Sequence, residues 1–372
     1  MIVGVPSEIK TDEYRIAITP VGVRELTARG HRVLIQSGAG DGSSLGDEDF
    51  TAVGAEIVPD AASVFEATDL VLKVKEPQAS EIARLSPGQI LFTFLHLAAY
   101  PQEAMNLAAS GAIAIAYETV MVQSGALPLL APMSEIAGRL AAQAGAHFLE
   151  RPRGGRGVLI GGVAGVPPAK VAVIGAGSAG THAALIAAGM GAEVTILDLN
   201  IDRLRQIDEM HRGRIITVRS SIFAIDDIVP RSDLVVGAVL VAGARAPVVV
   251  TEQHVENMRP GSVVVDISID QGGCIETSHE TTHSDPAYVK HEVIHYAVGN
   301  IPGAVPHTST FALTNATLPY VVALADGLQS AIALYPELVD GVNVANGQVT
   351  NEAVASSLGM DHVAPLAALG LT

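Results

Sequence analysis

Charge is scarce in this 372-residue chain: Asp, Glu, Lys and Arg make up 16% of it, against ~25% in a typical globular protein, while 49% is apolar. Such a composition excludes intrinsic disorder, because it holds more apolar surface than a solvated chain leaves exposed. It also leaves surplus apolar area for subunit interfaces, so a homo-oligomer is expected. Basic residues are the scarcer sign, 22 against 39 acidic, for a net charge of −17. That balance repels phosphate backbones and anionic lipid, which argues against nucleic acid and against a membrane surface as partners. Cysteine is reduced to Cys274, which excludes an intrachain disulfide framework and any cysteine-only metal cage. No basic leader with an apolar core opens the sequence, so no targeting peptide is read and a cytoplasmic location is expected. One uncharged run, 171–192, is long enough to span a bilayer, but it contains five glycines and divides into strand, turn and helix.

What is present is alternation. A chain of this length exceeds what one core usually serves, so two domains are expected. Over residues 1 to about 130, short β-branched runs (IVGV, RVLIQ, DLVLKVK, QILFTFLH, AIAIAYE) alternate with helical patterns, predicting a parallel α/β sheet. Thr19, Pro20 and Gly30 bracket a helix from about 20 to 29. A second, alanine-rich helix is expected from Ser134 to about Glu150, followed by a glycine-rich loop to Gly165. Strands and helices alternate again from Lys170 to about Asn300, and residues 306–372 return to helical, alanine-rich sequence.

The strongest local pattern is Val171-Ala-Val-Ile-Gly-Ala-Gly-Ser-Ala-Gly180, an apolar strand running into G-x-G-x-x-G and then into helical sequence. Gly175 allows the tight turn, Gly177 lets backbone approach a pyrophosphate, and Gly180 lets helix and strand pack closely. The helix N-terminus offers unpaired N–H groups to the anion. A following strand, Glu193–Asp198, ends in an acid that can accept both ribose hydroxyls of an adenosine and repel a 2′-phosphate. NAD is therefore the expected cofactor, with Arg203 as a counter-signal for NADP.

Ligands of open α/β sheets bind beyond the carboxyl ends of strands. There Lys75 closes DLVLKVK, His96 closes QILFTFLH, Asp270 closes SVVVDISID, and Arg15 follows the first strand. Two cations, an imidazole and a carboxylate suit a small carboxylic acid whose α-carbon undergoes acid–base chemistry. Each of these residues alone is as readily a solvated charge or a structural histidine.

Taken together, Arg15 in YRIAITP, Lys75 in LKVKEP, His96 in FTFLHLAA, SEIAGRLAAQ from Ser134, GGRGVL from Gly154, the glycine fingerprint, DISIDQGGC from Asp266, VGNIPGAVPHTST from Val298 and ALTNATLPY from Ala312 resemble the alanine dehydrogenase family. That family is shared with the nucleotide-binding subunit of proton-translocating transhydrogenase, and the match runs nearly end to end. The resemblance implies oxidative deamination of L-alanine to pyruvate and ammonium with NAD, and the reverse amination, in a homohexamer. It implies that Arg15 and Lys75 bind substrate, that His96 is the general acid/base, and that Asp270 orients water or holds ammonium. Implied NAD contacts are Ser134, Ser178, Ala179, Asp198, Arg203, Ser220, Val239, Leu240, Ile267, Ser268, Ile269, Asp270, Val298, Gly299, Asn300 and Ile301. It further implies a Rossmann domain, 130–305, inserted into a discontinuous α/β substrate domain, 1–129 and 306–372, with a hinge near 129–135 and 300–306.

Two rivals remain at this stage: a transhydrogenase-type subunit that passes hydride between nucleotides, and an NAD-binding protein that has lost its chemistry. A zinc site is not expected. His279-Glu280-Thr281-Thr282-His283 spells H-E-x-x-H, but flanking glycines, two β-branched threonines and Pro286 favour a loop over the single helical face that zinc requires. Some family members carry an acid and a histidine near the start of the last helix, where this chain has Ala323 and Gly327.

Overall fold

Strands form here where β-branched residues run together without polar interruption, the signature of sheets buried on both faces. The computed structural model describes residues 1–241 and 245–371, in two compact units. Residues 242–244 and 372 fall inside the expected domain ranges but outside the described residues.

One unit comprises Met1–Met133 and the segment from Val305 onward. Its strands β1 (Ile2–Val5), β2 (Arg32–Gln36), β3 (Glu56–Val58), β4 (Leu70–Leu72), β5 (Ile90–Thr93) and β6 (Ile113–Ala116) are all parallel. They lie in the order β3-β2-β1-β4-β5-β6. The helix expected at 20–29 spans Pro20–Ala28, with proline in its first turn.

The other unit comprises Ser134–Val241 and Arg245–Ala304. Helix Ala131–Phe148 leads into it, starting before the expected Ser134 because Pro132 suits the first turn of a helix, and ending before Glu150. Its strands are β7 (Lys170–Ile174), β8 (Glu193–Asp198), β9 (Ile215–Arg219), β10 (Leu234–Gly237), β11 (Val263–Asp266), β12 (Ala287–Lys290) and β13 (Val293–Tyr296). The order is β12-β13-β11-β10-β7-β8-β9, with only β12 antiparallel among the described strands. The uncharged run from Val171 is indeed strand, glycine turn and helix Ser178–Gly189.

The C-terminal segment is not wholly helical, as the composition suggested. Strands β14 (Val342–Ala345) and β15 (Gln348–Val349) form a hairpin that pairs antiparallel with β6 and extends the first sheet to eight strands. The turn is Asn346-Gly347, both at positive φ (48° and 87°), the two-residue connection whose twist matches paired strands.

Both sheets therefore share one doubly wound core order, with a topological switch beside β1 and β4 in the first and beside β7 and β10 in the second. Loops leaving neighbouring strands at a switch run to opposite faces and open a crevice at the carboxyl ends. Those two places are where candidate residues are to be sought.

At Gly347 a side chain meets the left-handed penalty of about 1–2 kcal/mol. Gly347→Ala is accordingly expected to lower the thermal midpoint by a few degrees, and an unchanged melt would contradict the turn's contribution.

Candidate functional site

In the first unit, the chain leaving β1 carries Arg15, which is 2% exposed. Its Nε donates to Glu13 Oε1 at 2.6 Å, its Nη2 pairs with Glu13 Oε2, and its Nη1 lies 3.0 Å from Met133 Sδ. One edge of the guanidinium fork is thus already held by a carboxylate, which fixes where the rest of it points. The next residue is pinned too: Ile16 N–H donates to Thr310 Oγ1 at 3.1 Å on helix Pro306–Asp326.

Lys75 and His96 lie near strand ends but do not close their strands as expected. Strand β4 stops at Leu72 and β5 at Thr93; two backbone bonds, Lys73 N–H to the Phe92 carbonyl and Phe94 N–H to the Val74 carbonyl, follow before side chains take the remaining groups. Val74 N–H donates to Glu8 Oε1 at 2.6 Å, and the Lys75 carbonyl accepts from Thr93 Oγ1 at 2.9 Å. Leu95 and His96 donate their backbone N–H groups to the buried Glu118 carboxylate, His96 at 2.6 Å. His96 itself sits in the left-handed region, φ 50° and ψ 31°, with its ring stacked 5.7 Å from Phe94. A non-glycine residue held there stores local strain, and the Glu118 clamp is what supports it.

Electrostatics tie these residues together. Burial works to raise the Glu76 carboxyl, but the charges of Lys75, His96 and Lys10 hold it below its ordinary value. Burial likewise opposes ionisation of Glu13, yet Arg15, with help from Lys75, pulls it down to about 2. Arg15, Lys75 and His96 therefore share one electrostatic neighbourhood. Behind it, Lys73, 1% exposed, bridges Glu8 at 2.9 Å and Glu81 at 2.8 Å. Burial raises the Glu8 carboxyl despite Lys73. Glu8, Glu13, Glu76 and Glu118 were not foreseen from the sequence; their only signal was an acid adjacent to each candidate stretch.

In the second unit, Gly175 adopts φ 101° and Gly177 precedes the first turn of helix Ser178–Gly189. A Cβ at Gly177 would enter open space, which leaves the helix N-terminus and Ser178–Ala179 accessible to an anion. A Cβ at Gly180 would overlap the Gly175 carbonyl oxygen, so only glycine fits that strand–helix approach. Asp198 does end β8. Its Oδ2 accepts from Ala176 N–H at 2.6 Å, its Oδ1 from Asn200 N–H at 2.7 Å, and its carbonyl from Ser220 N–H. Arg203 Nε donates to the Ala176 carbonyl at 2.8 Å. Asp198 and Arg203 thus hold the two peptides that flank Ala176 in the glycine loop, one by its N–H and the other by its C=O.

Past β10, Val239 accepts from Ser268 Oγ at 2.7 Å, and Leu240 is exposed. Asp270 does not close a strand: β11 ends at Asp266, and residues Ile267–Gln271 form a 3₁₀ turn. The reason is Asp266, fully buried, whose carboxylate accepts from the N–H groups of Ser268, Cys274 and Ile275, each at 3.0 Å. Asp270 Oδ1 in turn accepts from Asn300 N–H at 3.0 Å, bringing Ile267–Asp270 against Val298–Ile301. Ser134 is half-buried in the first turns of its helix. H-E-x-x-H is loop, as expected, with His279 stacked on Tyr288 at 3.7 Å. Among the described residues, one cluster could hold a metal, Glu252, Glu256 and His291; it is largely exposed, and Lys290 already pairs with Glu252.

The sequence profile "Alanine dehydrogenase/PNT, N-terminal domain" matches residues 4–137, and "Alanine dehydrogenase/PNT, C-terminal domain" matches 141–352. An alanine dehydrogenase of Mycolicibacterium smegmatis is 58% identical over 359 residues, 96% of this chain and 97% of that one. A solved structure of an L-alanine dehydrogenase is 47% identical with a TM-score of 0.91, covering 96% of this chain and 99% of the other. A transhydrogenase structure from Sinorhizobium meliloti, 24% identical with a TM-score of 0.79, covers 95% of this chain and shares the fold.

Glu13 carries a pH dependence with a definite sign. Its carboxyl lies at about 2 when folded against an ordinary 4.5, so its pairing with Arg15 contributes stability that is present above about 4.5 and lost as pH falls toward 2. The melting difference between the wild type and Glu13→Gln should be large at neutral pH and shrink between pH 4.5 and 2. A difference independent of pH would show that the pair contributes nothing acid-labile.

Proposed function

The chain belongs to the alanine dehydrogenase/PNT family, and from that premise we infer that it interconverts L-alanine with pyruvate and ammonium. The observation that carries this reading is the grouping of Arg15, Lys75 and His96 around shared buried carboxylates at the switch point of the first sheet. A transfer of hydride between two nucleotides needs no such carboxylate-binding, proton-moving set, so the likeness of fold to a transhydrogenase carries no activity.

We assign NAD as cofactor, held by a domain of residues 130–305 within which the second unit falls, and the substrate to residues 1–129 and 306–372. The glycine loop, the open face at Gly177 and Asp198 at the end of β8 suit the pyrophosphate and adenosine ribose. Ser134, Ser178, Ala179, Arg203, Ser220, Val239, Leu240, Ile267–Asp270 and Val298–Ile301 line that cofactor. When bound, NAD supplies the acceptor for the hydride lost from the alanine α-carbon. Arg15 and Lys75 fix the substrate carboxylate through charge-assisted hydrogen bonds. Loss of hydride leaves an iminium; water adds at its carbon, and expulsion of ammonia leaves pyruvate. His96 takes the proton from the attacking water and returns one to the departing nitrogen, and Asp270 holds the ammonium or the water. Assembly as a homohexamer and a cytoplasmic location complete the proposal; among the described residues no helix is long and apolar enough to cross a membrane.

The purified chain should form NADH from NAD and L-alanine. His96→Ala should lower kcat by about 10²–10⁴-fold, the usual contribution of a positioned acid/base, while NAD still binds. Near-normal turnover in that variant would remove His96 from the chemistry.

Asp198 should set cofactor choice. Asp198→Gly is expected to shift the ratio of specificity constants from NAD toward NADP by roughly tenfold to a hundredfold, with Arg203 left to meet a 2′-phosphate. Because Asp198 also ties down Ala176 and Asn200, some loss of melting temperature is expected alongside. A lowered melt with an unchanged ratio would assign Asp198 to the turn alone.

A further inference from the structure

The H-E-x-x-H segment, 279–283, has no part in the reaction described above, yet the fold lays it alongside Val298–Ile301. Thr281 forms a parallel bridge with Val298: its N–H donates to the Ala297 carbonyl at 2.9 Å, and its carbonyl accepts from Gly299 N–H at 3.0 Å. Two residues on, His283 Nε2 lies 3.1 Å from the Asn300 carbonyl oxygen. A carbonyl can only accept, so Nε2 carries the proton and donates. The backbone of Asn300 is thereby gripped on both sides of its Cα, its N–H by Asp270 Oδ1 and its C=O by His283. That carbonyl also accepts from Gly303 N–H at 2.8 Å, using its second lone pair. Asn300 needs such support: it is 7% exposed and sits at φ 64°, the left-handed region that non-glycine residues rarely adopt.

We propose that His283 is a positioning residue for cofactor binding, which holds the Asn300 carbonyl, and with it the loop Val298–Ile301, in the conformation that receives NAD. The proposal rests on the reading of Val298–Ile301 as a cofactor contact. It assigns the H-E-x-x-H segment a role as a brace in which one histidine ring is spent on a main-chain carbonyl and the other, His279, on the face of Tyr288.

The test is calorimetric titration of the purified full chain with NAD, together with kcat and KM for both substrates and a thermal melt. His283→Ala should weaken NAD binding by about three- to tenfold, the loss that one neutral hydrogen bond supports, and leave kcat and the KM for alanine at saturating NAD nearly unchanged. His283→Gln, whose amide can donate from a similar position, should recover most of the affinity. Asn300→Gly, which removes the side chain and frees the backbone, serves as the control on the loop. Weakened NAD binding in Asn300→Gly with wild-type affinity in His283→Ala overturns the brace alone. Wild-type affinity in both overturns the loop's part in cofactor binding, and the brace with it. An affinity loss in His283→Ala that glutamine does not recover, and that follows a fall in melting temperature, also overturns the proposal in favour of a purely structural histidine.

Discussion

Three cations, Arg15, Lys73 and Lys75, sit at 2%, 1% and 4% exposure in the first unit, and that removal of positive charge from water is the constraint around which its site is built. A buried charge without a partner costs several kcal/mol, so each demands carboxylates brought in from elsewhere in the chain. Glu13 answers Arg15, while Glu8 and Glu81 answer Lys73; Glu76 lies in the field of Lys75, His96 and Lys10. The outcome is that the directions of Arg15 and Lys73 are set by carboxylates of the fold itself. Preorganisation of this kind is what lets charge recognise a carboxylate without first rearranging.

A second device recurs in both units. Where the chain leaves the carboxyl end of a strand, an acidic side chain accepts backbone N–H groups and sets the turn. Glu118 does so for Leu95 and His96, Asp198 for Ala176 and Asn200, Asp266 for Ser268, Cys274 and Ile275, and Asp270 for Asn300. Charge-assisted bonds to backbone are among the stronger ones available, and they fix loops that have no ladder of their own. Four of the chain's 39 acids are used in this way, on main chain rather than on solvent.

Some of the architecture was legible in residue order and some was not, for reasons that lie in range. The glycine fingerprint and Asp198 could be read because each acts over a few residues: a turn, a helix start, a strand end. Strand ends at Lys75, His96 and Asp270 were placed too late because hydrophobicity continues past the point where side chains take over the backbone hydrogen bonds. The hairpin β14–β15 had a local sign, Asn346-Gly347 between the short runs Val342–Ala345 and Gln348–Val349, that was masked by the alanine-rich helical sequence around it. H-E-x-x-H shows the converse: a motif defined by helical spacing means nothing once the backbone is extended, and its flanking glycines and proline already forbade the helix.

By itself the sequence determined the alternation of strand and helix and the glycine loop with its acid, since these follow from local periodicity and backbone freedom, and it named the residue types proposed for the reacting end. The tertiary structure decided what no spacing encodes: that both sheets wind in the same order, that Glu8, Glu13 and Glu76 answer the cations, that Glu118 takes the backbone N–H groups of Leu95 and His96, and that Asp270 and His283 close on the two sides of Asn300. Apart from Glu13 with Arg15 and Glu76 with Lys75, those contacts join residues distant in the chain, and the energies of all of them depend on burial. A carboxylate beside a cation is a weak surface contact in water and a strong constraint out of it, and only the fold determines which.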